Sequence, residues 1–493
     1  MAGGSTSNGK QNDLCQPRKL TFDGTWTAAA SAAEPYRYLP FSVPPLTKRI
    51  EVAYSVQPLD QQAAPADLSI GLFDPRGLGF LERNGFRGWT GAFRDRFFVA
   101  PDQATPGYRR GPLPPGTWHV MLDSAEITPG GCSYNVTITL TIAPSEADLP
   151  VPVPYPRYEP GVLKRGARWY RGDLHAHTYH SDGENSVAEM AEEHRRRHLD
   201  FGAMTDHNLV NPELALGEHP DFLWLPGEEV TTRWGHLNVW GLDADDWIDF
   251  RCADLAGMER IIAAARARGA LTSINHPKED GPDWIFPAFP DTDAFEVWQA
   301  PWFLSNYVTL GIWQGLLAEG RRPTAVGGSD LHRIGTPEHP YPYAIGNPTT
   351  WVYAEELSIP AILEGIRTGH VFISAEPSGP QLLLTAQTPH GTAIPGDLVA
   401  LHEGEQARVR VEVLDGAGRL LRLLGESGML HESIIVTDRQ VVEHDLLDSF
   451  LLPAYIWAAL VAPPDSDLTA EPDALWVDAM TNPVYFALEP LEA

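Results

Sequence analysis

The chain has 493 residues, of which 43% are hydrophobic and 20% charged, and a formal net charge of −29 at pH 7. That length allows about three domains, each with a core of its own, and the charge repels phosphate backbones and anionic lipid, which makes nucleic acid and membrane surfaces poor partners. Three scattered cysteines, Cys15, Cys132 and Cys252, form neither a disulfide framework nor a CxxC metal site.

The first residues, MAGGSTSNGKQNDLCQPRKL, contain no apolar leader segment. No stretch reaches the roughly 18 apolar residues of a membrane helix. The expectation is a soluble cytoplasmic protein with free thiols, whose oligomeric state the sequence leaves open.

Residues 1–18 read as a flexible tail. From 19 to 145 the segments RIEVAYSV, DLSIGLF, RDRFFVA, TWHVML and SYNVTITLTI are strand-like, with Gly- and Pro-rich turns between them. They predict a small β-sandwich, and PLPPGTWHVML resembles the closing strands of jelly-roll modules. Residues 146–168 are proline-rich and read as a semi-extended linker.

From 169 the pattern changes to alternating strand and helix. RWYRGDL is a strand. Ser186 with Glu189 is a capping box opening a helix. DFGAMTD is the next strand, LAGMERIIAAARARG a helix, then ALTSIN and AFEVWQ strands. YVTLGIWQGLLAEG is a helix, PTAVGGS a strand, IPAILEGIRTG a helix and HVFISA a strand. Repeated βα units imply a parallel sheet or barrel over 169–377. Residues 378–493 return to strand patterns (PQLLLTA, QARVRVEVLD, RLLRLLGE, ESIIVT, AYIWAALVA) and predict a second β-sandwich.

Metal-type side chains collect where the central strands end. His175 and His177 follow RWYRGDL, His207 follows GAMTD, and Glu228 follows FLWLPG. His236 lies in WGHLNVWG, His276 follows LTSIN, and Asp330 and His332 follow TAVGGS. In parallel βα folds these ends converge on one rim. Residues i and i+2 of a strand point the same way, so His175 and His177 can grip one ion together. Imidazole with carboxylate and no thiolate suits Zn, Mn or Fe.

In combination, GDLHAHTYHSDG, MTDHN, GEEVTTRWGHLN, INHP and GGSDLH resemble the successive motifs of the polymerase and histidinol phosphatase (PHP) family of metallohydrolases. GEEVTTRWGHLNVWG, with a β-domain on its amino side, looks like the carbaryl-hydrolase-like CehA/McbA branch of that family. The resemblance implies a distorted (βα)7 barrel with two or three divalent metal ions (Zn, Mn or Fe). It implies that His175, His177, Glu228 and Asp330 hold the first ion, and that Glu228 bridges to a second held by His236 and His276. Asp182, His207 and His332 would hold a third. Glu228, His207, His332 and Asp330 are thereby the expected catalytic residues.

Close divalent ions can share a water, lower its pKa to about 7 and polarise the scissile group. No GxSxG nucleophile elbow competes with that chemistry. The family implies hydrolysis of a small-molecule phosphoester, mono- or diester and anionic. The carbaryl-type branch implies carbamate or carboxylic-ester hydrolysis as the alternative. Lys278 and Arg333, beside the NHP and SDLH motifs, are candidate anion contacts, with surface ion pairs as their alternative. Trp234, Trp298, Trp302 and Phe303 are candidates for an aromatic wall, and Trp313 for the core. His180 is a candidate general acid. Asp206 is either an orienter of a ligand or a loop cap. A non-catalytic, metal-stabilised binding scaffold is the reading of another class. A nuclease is disfavoured by the charge.

Overall fold

The computed structural model describes residues 17–60, 66–127, 130–243, 246–336, 343–446, 452–463 and 476–489. The expected tail up to residue 16, with Cys15, lies outside them. Among the described residues no helix is long and apolar enough to cross a membrane.

Residues 18–142 build two four-stranded antiparallel sheets. One orders Arg18–Trp26, Cys132–Ile142, Thr47–Pro58 and Arg96–Val99. The other orders Tyr36–Val43, Gly116–Glu126, Asp67–Phe73 and Phe86–Thr90. Cys132–Ile142 alternates buried and half-buried residues, as a strand with one face on a core must. Ile50, Val52, Trp118, Val120 and Ile138 fill the space between the sheets. Asp67–Phe73 is buried along almost its whole length instead. Its sheet has a second dry face, because Phe73, Phe86 and Trp89 pack onto the central part of the chain. Phe86 stacks on Trp247 with ring centroids 4.0 Å apart.

The chain from 150 to 163 carries no regular structure, and the first central strand, Lys164–Asp173, begins inside the expected linker. Phe201–Met204 and Leu223–Thr232 extend it in parallel. Gly235–Trp240 then pairs antiparallel with Leu223–Thr232, and Leu271–Asn275 antiparallel with Gly235–Trp240. Ala294–Gln299 and Thr324–Gly328 add in parallel. A purely parallel sheet is therefore not what forms. Only Arg233 and Trp234 separate two of the strands, too short a link for a crossover, and Gly235 turns the chain at φ +146°. A parallel bridge between Ala176 and Leu331 brings the ends of the first and last of these strands together.

Helices Val187–Arg196, Leu255–Arg266, Asn306–Ala318 and Ile359–Arg367 connect the strands. The Ser186–Glu189 capping box is formed in both directions. Asp254 and Ser358 cap two more helices through their side chains.

Beyond Ser374 a four-stranded sheet of Gly391–Ala393, Gln381–Thr388, Ala407–Leu414 and Arg439–Leu446 faces a second layer across a core of Leu384, Val411, Leu423 and Leu460. That second layer is not a separate sheet. Phe372 to Ser374 pairs with Ala479 to Thr481, so the central sheet runs unbroken through Val477–Thr481 and Tyr455–Val461 to Leu420–Gly425.

Candidate metal centre

His175 and His177 lie just beyond Lys164–Asp173, and alternation places both on the same side. The backbone there is held by Asp173, which accepts from the N–H of His175 at 3.1 Å, of Ser329 at 2.9 Å and of Gly346 at 2.7 Å. One buried carboxylate thus ties the HAH turn to the GGSD turn. Close approach is needed as well: a Cβ on Gly328 would sit 2.3 Å from the His175 Cβ.

The carboxylate at the centre of the site is Glu229. Its Oε1 lies 3.0 Å from His236 Nδ1, 3.1 Å from His276 Nε2 and 3.4 Å from His175 Nε2. Its Oε2 lies 2.8 Å from His207 Nδ1. Asp330 Oδ1 is 3.0 Å from His177 Nε2 and 3.3 Å from His175 Nε2. Asp182 reaches His332 Nε2 at 3.2 Å and His207 Nε2 at 3.4 Å.

Four overlapping groups result: His175–His177–Asp330, His175–Glu229–His276, His207–Glu229–His236 and His177–Asp182–His207–His332. The ligand atoms within each lie within 4.8 Å of one another. Eight of the nine expected ligands are brought together this way.

The ninth, Glu228, is not. It pairs with Val239 in the hairpin while Glu229 pairs with Asn238, so the two adjacent side chains leave opposite faces of the strand. Glu228 Oε1 accepts from the Ile248 N–H at 2.8 Å. Burial, with Asp246 near it, pushes its carboxyl well above the ordinary range. The bridging and catalytic roles expected of Glu228 have their geometry at Glu229, one residue on.

The donor set fits divalent ions. His175 Nε2, His177 Nε2, Asp182 Oδ1 and Glu229 Oε2 are buried and make no hydrogen bond. Such atoms are costly unless something pairs with them. Burial raises the Glu229 carboxyl, but His175, His236 and His207 outweigh it and hold the group well below its usual range. Asp330 is likewise lowered, burial being overcome by His175 and His177. His177 is pushed down to about 4 by burial and by His332 and His207.

Several residues around the ligands carried no signal in the sequence reading. Glu296 holds His175 Nδ1 at 2.9 Å and accepts from the His276 N–H at 3.0 Å. A carboxylate behind a ligating imidazole fixes its tautomer and orientation. Asn208, in a left-handed conformation at φ +57°, accepts from the Thr231 N–H at 2.7 Å and so joins the DHN turn to the Glu229 strand. Gln299 donates to Asp330 at 2.9 Å. His276 and Asp330 also have positive φ, at +27° and +51°. Strain of this kind gathers at sites that the surrounding fold over-determines. Asp206 turns out to organise the loop: it accepts from Thr178 N at 2.8 Å, Ser181 Oγ at 2.7 Å and Asn211 Nδ2 at 2.7 Å.

The expected substrate contacts are placed elsewhere. Lys278 is 2% exposed, and its Nζ donates to Gln299 O at 3.2 Å and Asn306 Oδ1 at 2.8 Å, so it braces a loop. Burial pushes its ammonium down to about 8. Arg333 lies 3.7 Å from Glu184 near the surface. Trp302 is buried edge-on against Trp298, and Trp234 packs on Phe286. His180 is engaged at both nitrogens, by the Gly107 N–H at 3.2 Å and Glu213 at 3.1 Å, which leaves it no free position as a general acid. The open space beside the ligands is instead a cleft of about 560 Å³ that includes Asp182, His207 and His236 together with Trp89, Phe93 and Asp123 of the amino-terminal sandwich.

No protein-family model and no curated protein matches the chain. Among solved structures, a two-domain protein from Bacteroides vulgatus, described as containing a predicted PHP-like metal-dependent phosphoesterase, is similar at 16% identity and a TM-score of 0.35. That match covers 67% of this chain and 100% of the other. A candidate metal-dependent phosphoesterase from Bifidobacterium adolescentis is similar at 14% identity and a TM-score of 0.24, covering 35% of this chain and 90% of the other. The candidate metal centre therefore rests on its own geometry: eight of the nine expected residues, with Glu229 in place of Glu228, gathered from the central strands and the loops that follow them.

Proposed function

We propose that the chain is a metal-dependent hydrolase of the PHP type, with residues 169–377 as a distorted barrel bearing two or three divalent ions of Zn, Mn or Fe. The reaction is hydrolysis of a small-molecule phosphoester. The observation that carries the reading is the ligand set itself, four overlapping groups of imidazole and carboxylate around Glu229 with buried, unbonded donor atoms among them.

Residues His175, His177, Asp330 and Glu229 would hold one ion, Glu229 with His276, His236 and His207 a second, and Asp182, His177, His207 and His332 a third. Ions bound there supply Lewis acidity and a water activated near neutral pH. The protein's own part is positional. Glu296 fixes the ring of His175, Gln299 fixes the Asp330 carboxylate, and Asp206 fixes the loop that presents Asp182. The sandwich residues Trp89 and Phe93 narrow the approach to the ligands, so part of the substrate is taken out of water.

The test is hydrolysis of four esters by protein stripped with chelator and reloaded with Mn, Zn or Fe. They are p-nitrophenyl phosphate, bis-p-nitrophenyl phosphate, a naphthyl N-methylcarbamate and naphthyl acetate. Metal-dependent cleavage of a phosphate, lost in a His175→Ala, His177→Ala variant, is the expected result. Cleavage of the carbamate or the acetate alone overturns the substrate class. Full metal occupancy without turnover of any ester overturns the hydrolase reading in favour of a metal-stabilised scaffold.

A further inference from the structure

We infer that the cleft beside the metal ligands binds the non-transferred part of the substrate, and that this part is a cation on an apolar body. The inference rests on the hydrolase reading. It starts from Asp123, on the sandwich strand Gly116–Glu126, which lines the same cleft as Asp182, His207 and His236. Asp123 is only 8% exposed, and no hydrogen bond or ion pair links its side chain to a described residue; burial and the neighbouring Asp67 raise its carboxyl to about 7, against the opposing pull of Arg233. A carboxyl in that state is ionised most readily when a cation is placed beside it.

The charge around it has one dominant sign. Asp67 and Asp283 line the cleft as well, against the single guanidinium of Arg233 among the described lining. That guanidinium donates to Ser31 Oγ at 2.9 Å, lies 4.4 Å from the Trp234 ring and offsets part of the negative charge at Asp123. With a net charge of −29 behind it, the cleft draws cations and repels anionic groups other than the one the metal ions hold.

The remaining lining sets the shape of the ligand. Phe93 is 42% exposed and Ile285 58% exposed, both at the cleft, and Trp89 forms part of its wall. Large apolar side chains left in water beside a concave site mark a contact surface. Aromatic rings beside acidic side chains are the surroundings that favour an ammonium with alkyl substituents. Asp123, Asp67, Trp89 and Phe93 belong to the amino-terminal sandwich, so specificity would reside in that domain while the ions reside in the other.

The experiment uses the full metal-loaded chain and two phosphodiesters of one shape, p-nitrophenyl phosphorylcholine and p-nitrophenyl 3,3-dimethylbutyl phosphate, which differ only in the charged nitrogen. The expected result is a kcat/KM higher for the choline ester by at least about tenfold. That ratio should fall towards one in Asp123→Asn, and in Asp67→Asn as a second variant, at unchanged metal content and Tm. Choline binding to the same proteins by calorimetry gives a readout independent of turnover. Equal rates for the two esters, preference for the dimethylbutyl ester, or a ratio unmoved by both variants overturns the inference while the hydrolase reading stands. Choline binding that depends on Asp123, without turnover of either ester, overturns the diesterase form of the hydrolase reading while the cationic pocket stands. Absence of both choline binding and a rate preference overturns the pocket.

Discussion

Arg94, in the amino-terminal sandwich, donates from Nη1 to the carbonyl of Ser181 at 3.1 Å, one residue before the ligand Asp182. Its Nη2 donates to the Tyr179 carbonyl, and the Gly107 N–H reaches His180. The loop carrying Asp182 is thus held from outside its own domain. Arg94→Ala should weaken the ion held by Asp182, His207 and His332 by about 10- to 100-fold, the usual cost of losing an outer partner. Metal titration of the intact protein measures it, with added guanidinium expected to restore part of the affinity. Unchanged binding would show that the loop holds itself.

Glu228 and Glu229 offer a test of strand register. Glu229→Gln removes the central acceptor of four imidazoles and should lower metal content by more than the about 10- to 100-fold typical of an outer partner. Glu228→Gln changes a group on the opposite face, whose carboxyl burial pushes well above the ordinary range, and should leave the metal content of the purified protein as it was. Elemental analysis of both variants distinguishes the two carboxylates directly.

Behind the ligands, Glu296→Gln keeps the size of the side chain and removes the charge that orients His175. The expected loss is about 10- to 100-fold in metal affinity, with Tm of the metal-free protein little changed. A Tm drop without a change in affinity would make Glu296 a structural residue only.

Gly328→Ala places a methyl group 2.3 Å from the His175 Cβ and 2.9 Å from its backbone nitrogen. Two backbone segments must move to admit it. The expected cost is about 1–3 kcal/mol of stability, typical of overpacking, with metal content falling alongside. Urea unfolding of the variant beside the parent chain measures the first.

Acid should act through His194, which is fully buried beneath Trp224 and Phe222, with Nδ1 bonded to the Met190 carbonyl at 2.7 Å. Burial pushes its pKa down to about 4. The unfolded chain, with a His pKa of about 6.5, binds the proton first, so stability falls as pH drops from about 6.5 to about 4 and then levels off. The full effect is about 3 kcal/mol, from about 1.4 kcal/mol per pH unit. The difference in unfolding free energy between the parent and His194→Gln, measured at pH 7 and again at pH 4.5, should shrink or reverse at the lower pH. A difference independent of pH would show that the ring does not titrate with folding.

Elements with local causes were legible in the sequence. Asp67–Phe73 falls on DLSIGLF, Leu271–Asn275 within ALTSIN, and the capping box at Ser186 with Glu189 forms as the spacing requires. Strands defined by distant partners were not. Val477–Thr481 and the first four residues of Thr349–Leu357 carry no alternation, because both of their faces are covered by other parts of the chain. For the site, the motif pattern named eight residues that the fold gathers into groups able to hold ions, most of them just beyond a strand end. It missed by one residue at Glu228, because GEE offers two carboxylates and only the hairpin register decides which faces the rim. Glu296 and Asp173 were out of reach for another reason: a single carboxylate inside an apolar strand gives no local sign of the imidazole it will meet.

Asn482 accepts from the Ala325 N–H at 2.7 Å and donates to the Ala325 carbonyl at 2.8 Å and the Val371 carbonyl at 3.1 Å. It stands in for a neighbouring strand beside Thr324–Gly328, the segment that delivers Asp330 and His332. During synthesis those two ligands emerge about 150 residues before the side chain that braces their strand, roughly ten seconds or more at ordinary elongation rates. A chain cut before Asn482 would carry every candidate ligand and still lack the brace beneath the strand that leads to Asp330 and His332.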